Sequence, residues 1–254
     1  MSSIRKGIIL AGGMGTRLHP LTRVSNKHLL PVGEKPMIYY PIKTLVDAGV
    51  DEMLIVLGGE SVGDFVRLLG DGSELGLSML YYAHQSKADG IAGALRLAEK
   101  FIGKESFLIM LGDNIVNQPI TSYVDKFREV PDRARILLKQ VDHPERFGVA
   151  EIKDEKIVKI IEKPTEPVSD LAVTGIYMYP PDVFDIIRDL KPSGRGELEI
   201  TDVNNAYLKE DRLEYDVFSG TWTDAGTFPS LRVATETVWR LNDQNNTDPT
   251  ESSS

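Results

Sequence analysis

The chain has 254 residues, 41% of them apolar and 26% charged, and its formal charge is 29 − 38 = −9. That length suits one large α/β domain or two small ones, and the acidity argues against nucleic acid or an anionic membrane as a partner. The absence of cysteine excludes disulfides and thiolate metal sites and fits a cytoplasmic setting, while the polar start Met1–Lys6 and the lack of any run of about 18 apolar residues argue against a signal peptide or a membrane span.

Gly7 to Leu10 is an apolar run of the kind a buried parallel strand shows. It passes directly into Ala11-Gly12-Gly13-Met14-Gly15-Thr16-Arg17. Three glycines within four residues let bare backbone N–H groups approach an anion. Arg17 adds a planar fork suited to phosphate oxygens. A GxxxxGK[ST] phosphate loop is excluded because Thr16-Arg17 follows the last glycine. A dinucleotide fingerprint is excluded because Leu18 stands where its third glycine would be.

From Leu18 to Val32, two prolines and the lack of any period predict a long loop carrying Lys27. A helix is expected from Pro36 to about Ala48-Gly49. Strands are expected at Glu52–Leu57, Leu77–Tyr82 and Ser106–Leu111, with helices at Asp64–Leu69 and Ile91–Phe101 between them. This alternation predicts right-handed βαβ units and a mostly parallel sheet with helices on both faces. The second half is less regular. Helices are expected at Tyr123–Glu129, Val183–Leu190, Glu199–Lys209 and Pro229–Leu241. Strands are expected at Ala134–Val141, Ala172–Tyr179, Leu213–Phe218 and Thr221–Thr223, with a hairpin turning at Asp154-Glu155. Residues 242–254 are polar and are expected to be a disordered tail.

Ligands of open α/β sheets bind outside the carboxyl ends of the strands. The glycine loop with Arg17, then Gln85, Asp113, Lys163 and Asp224 all follow strand ends. Each has a plainer explanation taken alone: a turn for Asp113 and Asp224, a solvated surface group for Lys27, a strand stop for Glu162-Lys163-Pro164. Together, two carboxylates and three cations on one rim point to phosphates and a hard divalent metal.

The stretch from Leu10 to Thr22 resembles the signature of sugar-nucleotide pyrophosphorylases. Lys27-His28-Leu29-Leu30-Pro31-Val32 and Lys35-Pro36-Met37-Ile38-Tyr39-Tyr40-Pro41 narrow the resemblance to the glucose-1-phosphate thymidylyltransferase group. Leu69-Gly70-Asp71-Gly72, Leu111-Gly112-Asp113-Asn114, Glu145-Arg146-Phe147-Gly148-Val149, Glu162-Lys163-Pro164, Val173-Thr174-Gly175-Ile176-Tyr177 and Arg195-Gly196-Glu197-Leu198-Glu199 extend it over about Lys6 to Leu241.

The resemblance implies a Rossmann-like α/β fold with a small β-rich sugar-binding insertion. It implies a single nucleotidyltransferase domain over 1–241, with a nucleotide-binding half to about residue 118 and a sugar-binding half after it. It implies transfer of a nucleotidyl group from dTTP to glucose 1-phosphate, aided by Mg²⁺. UTP, another sugar 1-phosphate, or a non-catalytic regulatory subunit on the same fold are the alternatives. Leu10, Ala11, Gly12, Gly13, Gly15, Thr16 and Arg17 would hold the triphosphate, joined by Lys27. Gln85 and Gly90 would read the pyrimidine. Asp113 and Asp224 would hold the metal. Asn114, Gly148, Glu162, Lys163, Val173 and Thr174 would take the sugar phosphate, with Arg195 near the phosphates. Phe147 departs from the expected tyrosine, and Thr223 and Ala225 flank Asp224 where Leu and Thr are usual. Members of this group that are longer carry further C-terminal helices, so this sequence is expected to be a short form lacking them. A homo-oligomer is compatible with the resemblance.

Overall fold

The computed structural model describes residues 4–246. Its strands and helices, in chain order, are β1 (Lys6–Ala11), β2 (Pro31–Val32), β3 (Lys35–Pro36), α1 (Tyr39–Asp47), β4 (Glu52–Gly58), α2 (Val62–Leu69), β5 (Met79–Gln85), α3 (Ile91–Arg96), α4 (Glu99–Ile102), β6 (Phe107–Leu111), β7 (Asn114–Val116), α5 (Thr121–Glu129), β8 (Ala134–Gln140), β9 (Gly148–Lys153), β10 (Lys156–Glu162), β11 (Leu171–Tyr179), α6 (Val183–Asp189), α7 (Ile200–Lys209), β12 (Leu213–Val217), β13 (Trp222–Asp224) and α8 (Phe228–Asn246).

The parallel core is β6-β1-β4-β5. Its strands alternate between two cores rather than between core and solvent. Ile8 and Leu10 face one apolar cluster, while Ile9 and Ala11 face the other. Burial on both faces is what an all-apolar strand requires of a parallel sheet, and each fully buried side chain of this kind contributes about 1.5–3 kcal/mol. The strand ends are aligned: Leu10 pairs with Leu111, Ala11 with Leu57 and Gly58 with Gln85. All four strands therefore finish on one edge.

The sheet continues beyond β6 in the opposite sense. β11 runs antiparallel to β6 and to β8, and β12 joins β8 in parallel. The β9–β10 hairpin attaches at Ala172, opposite Val149. Because β11 runs backwards, its first residues, not its last, lie at the edge where the parallel strands end. Val173 thus reaches the same rim as Gln85 and Leu111 from the other direction.

Four expectations change. The helix foreseen from Pro36 starts at Tyr39, because Pro36 pairs with Pro31 in the short β2–β3 ladder. The helix foreseen over Ile91–Phe101 is two, α3 and α4, interrupted at Leu97-Ala98. The last helix extends to Asn246, so residues 242–246 are helical rather than disordered; the rest of the expected tail, 247–254, lies outside the described residues. The segment from Thr16 to Leu29 contains three 3-10 turns rather than one shapeless loop.

One ladder has no counterpart in the sequence reading. β7 pairs antiparallel with β13, setting Asp224 opposite Asn114. A third apolar cluster, including Val32, Met37, Ile115, Ala225, Ala234 and Val238, packs α8 behind this ladder. Among the described residues no helix is long and apolar enough to cross a membrane.

Candidate active site

A cleft of about 370 Å³ opens above the edge where the parallel strands end. Its floor is the turn after β6. Asp113 is almost wholly buried there. Its Oδ2 accepts from the Lys27 ammonium and its Oδ1 from the Asn114 amide at 3.0 Å. Burial by itself would raise the Asp113 pKa, but Lys27, His28 and these hydrogen bonds hold it well below the usual carboxylate range. Asp113 is therefore an anion pinned in place.

Asp224 arrives from the far end of the chain. The β7–β13 ladder brings it in, and the Ala225 N–H donates to the Asp113 carbonyl at 2.9 Å. Its Oδ1 accepts from the Gly226 N–H at 2.9 Å, an Asx turn that leaves Oδ2 turned to Arg146 at 3.5 Å. Burial and then the Asp113 carboxylate push the Asp224 pKa up, against the pull of Lys27, Arg17 and Arg146. The Asp113 anion thus raises the proton affinity of Asp224, a repulsion that a cation between the two would relieve. Gly226 keeps the space between them open: a Cβ there would lie 2.7 Å from Asp224 Oδ1, 2.9 Å from Arg17 Nη2 and 3.6 Å from Asp113 Oδ2.

The glycine loop forms one wall. Gly12 lies so close to Gly58 that a Cβ on Gly58 would overlap the Gly12 carbonyl, and a Cβ on Gly13 would touch Lys27 Nζ at 3.4 Å. Bare backbone is what lets the loop lie over the ammonium. Gly15 takes φ 65°, which turns the chain into the 3-10 segment carrying Arg17.

The opposite wall comes from the β9–β10 hairpin, α7 and β11. A Cβ on Gly148 would press on Thr201 Oγ1 at 3.1 Å and Glu162 Oε2 at 3.4 Å. Lys163 holds a left-handed φ of 42°, unusual for a side-chain-bearing residue, while its N–H donates to the Phe147 carbonyl at 2.9 Å. Such local strain is concentrated where function demands it. Asn114 is fixed by three bonds: its Oδ1 accepts from the Gly175 N–H at 3.0 Å and the Trp222 indole at 2.6 Å, and its amide donates to Asp113.

Of the residues foreseen, Leu10, Gly12, Gly13, Arg17, Lys27, Gln85, Gly90, Asp113, Asn114, Gly148, Glu162, Lys163, Val173 and Asp224 line the cleft. Five do not. Ala11 is buried at the end of β1, and Gly15 and the exposed Thr16 lie outside the cleft lining. Thr174 is wholly buried and its hydroxyl donates to the Leu137 carbonyl at 2.9 Å, because successive residues of β11 face opposite ways. Arg195 is turned to Glu199, Glu162 and Glu197, at 2.7, 3.3 and 3.4 Å, so it meets the cleft only through the lining carboxylates Glu162 and Glu197.

The cleft also contains groups that had no assigned role. Arg146 faces Asp224 and stacks over Phe147, with 5.2 Å from its guanidinium carbon to the ring centre. Phe147 in turn meets the edge of Trp222 at 5.1 Å. His28 is buried below the floor, and burial followed by Lys27 lowers its pKa to about 3, so it is neutral. Arg146 belongs to the Glu145-Arg146-Phe147-Gly148-Val149 string, but only folding shows its partner. Trp222 carried no signal beyond its rarity.

The fold and this anion-lined, cation-bearing cleft define an enzyme that handles phosphates. A family model described as nucleotidyl transferase matches residues 6–240. The chain is 45% identical over 237 residues to the glucose-1-phosphate thymidylyltransferase of Neisseria meningitidis serogroup A, covering 92% of this chain and 82% of that one. A Bacillus anthracis structure assigned as a glucose-1-phosphate thymidylyltransferase, crystallised with a sucrose, superposes with a TM-score of 0.87 at 49% identity over 98% of both chains. A UDP-glucose pyrophosphorylase bound to UDP-glucose superposes at 0.81 with 26% identity, over 93% of this chain and 99% of that one. The chain belongs to the nucleotidyl transferase family.

Proposed function

We propose that the enzyme transfers a thymidylyl group from dTTP to glucose 1-phosphate, giving dTDP-glucose and pyrophosphate. The observation that carries this reading is the meeting of Arg17, Lys27, Asp113, Lys163 and Asp224 in one cleft, in a chain 45% identical to a relative named for that reaction. A phosphate oxygen of the sugar attacks the α-phosphorus, and pyrophosphate leaves from the opposite side. The glycine loop and Arg17 hold the departing phosphates. Lys163 grips the sugar phosphate from the facing wall. No side chain forms a covalent intermediate, so the protein acts by positioning and by neutralising charge.

The lining carries four cationic side chains, Arg17, Lys27, Arg146 and Lys163, and four carboxylates, Asp113, Glu162, Glu197 and Asp224. Such a wall is neutral overall and would receive two polyanions. The donor set fits Mg²⁺, which takes one or two carboxylates and completes its shell with water and substrate phosphate. Asp113 and Asp224 would hold it, and when bound it supplies the positive charge that the wall lacks.

The neighbour that binds UDP-glucose keeps UTP as a second reading. Thymine and uracil differ by one methyl, worth only about 10–200-fold in discrimination. The test is a panel of triphosphates against sugar 1-phosphates, scored for pyrophosphate. The highest kcat/KM for dTTP with glucose 1-phosphate supports the proposal. Preference for UTP, or for another sugar phosphate, replaces it. No turnover with any pair would favour the non-catalytic alternative.

A further inference from the structure

Gln85, at the end of β5, has an amide whose two ends are in unequal settings. Its Nε2 donates to Asp89 Oδ1 at 2.9 Å and to the Gly90 carbonyl at 3.4 Å. Both partners are acceptors only. The amide end facing them has to be the NH₂, since the reversed amide would set Oε1 against two oxygens. Oε1 then points the other way. It lies along the glycine loop, where a Cβ on Gly12 would sit 2.5 Å from it. Among the described residues no donor reaches it, and Gln85 lines the cleft. The site therefore presents a lone acceptor to whatever base enters.

Asp89 itself is held from three sides. Arg96 Nη2 stands 3.3 Å from Oδ2. The Leu198 N–H donates to the Asp89 carbonyl at 2.7 Å. Gly93, one turn into α3, leaves the carboxylate its space, for a Cβ at Gly93 would overlap the carboxylate's Oδ1 and Cγ. This glycine costs helix stability, and the space it leaves is filled by Asp89.

We propose that Asp89 is a positioning residue that locks the Gln85 amide with its oxygen toward the nucleobase, selecting pyrimidines that carry an imide N–H over cytosine. The inference rests on the reading of Gln85 as a base contact. Thymine and uracil offer a donor at N3, which Oε1 accepts. Cytosine offers a lone pair at N3, which Oε1 repels. The lock keeps the amide from turning over to suit cytosine, as a free glutamine would.

The test compares kcat and KM for dTTP and dCTP, each with saturating glucose 1-phosphate, in the wild-type enzyme and in Asp89→Asn, Gly93→Ala and Gln85→Ala. Asp89→Asn keeps the shape. Arg96 retains the new amide's oxygen, so its NH₂ faces Gln85 and turns that amide over. Gly93→Ala displaces the carboxylate instead. In both, the dTTP/dCTP ratio of kcat/KM should fall by at least about tenfold, mainly through KM. A merely structural role would lower turnover of both triphosphates together and leave the ratio unchanged, and that result overturns the inference. So does equal use of the two triphosphates by the wild-type enzyme. If Gln85→Ala collapses the ratio while the other two variants do not, the lock alone fails. If Gln85→Ala leaves the ratio intact, the base contact fails with it.

Discussion

Asp224 stands directly opposite Asn114 in the β7–β13 ladder, so that it faces Asp113 across one residue although 111 positions separate the two aspartates in the sequence. This three-residue ladder is what makes the pair a single site. It is braced by the α8 cluster on one side and tied to the main sheet by the Gly175 N–H bond to Asn114.

Asp113→Asn keeps the shape and the contact to Asn114 but removes the charge that Lys27 and a cation would share. Pyrophosphate release should fall about 10²–10³-fold, with an unchanged circular dichroism spectrum. Full activity in the Asn variant would remove the metal role.

Gly58→Ala sets a Cβ against the Gly12 carbonyl, backbone against backbone with no flexible end to yield. Overpacking of this kind costs about 1–3 kcal/mol, read from the urea midpoint. The displaced glycine loop should also raise KM for the triphosphate while leaving KM for the sugar phosphate near its wild-type value.

Trp222→Phe keeps a ring against Phe147 but removes the indole donor to Asn114. The Asn114 oxygen still accepts from Gly175. Loss of one neutral hydrogen bond is worth about 0.5–1.5 kcal/mol. Steady-state kinetics should show KM for the sugar phosphate up about two- to tenfold with little change in kcat.

Arg195→Met strips the cation from Glu199. Burial alone would raise the Glu199 pKa, yet the bonds from Arg195 and Ser193 hold it below its ordinary 4.5. Its stabilisation is thus present above pH 4.5 and lost as pH falls through the native value. Without Arg195, burial is opposed only by the Ser193 bond and the Lys163 charge, so the Glu199 pKa should rise. The stability difference from wild type should be on the order of 1–2 kcal/mol near pH 7, modest because the Arg195 side chain is 40% exposed. It should shrink toward pH 4, as denaturation midpoints at several pH values would show.

The parallel half was legible because its signals are local. Apolar runs of six or seven residues separated by helical periods can be satisfied only by βαβ units, and glycines after the first run announce a backbone that must approach something closely. The motifs around Arg17, Lys27, Asp113 and Lys163 were equally visible, since each is a short string of unusual residues. What the string does not carry is direction. Thr174 and Val173 are neighbours in sequence, but strand pleating puts only Val173 in the cleft. Arg195 was foreseen beside phosphates and is instead absorbed by three glutamates, because nothing in its own neighbourhood tells which acid it meets.

By itself, then, the order of residues determined which groups are available: a glycine-rich backbone, a handful of cations and two aspartates. Only the tertiary structure decided which of them face one another. Strand sense, the β7–β13 pairing and the amide orientation of Gln85 arise from contacts between segments distant in the chain, and a linear pattern holds no record of the hydrogen bonds that choose among them.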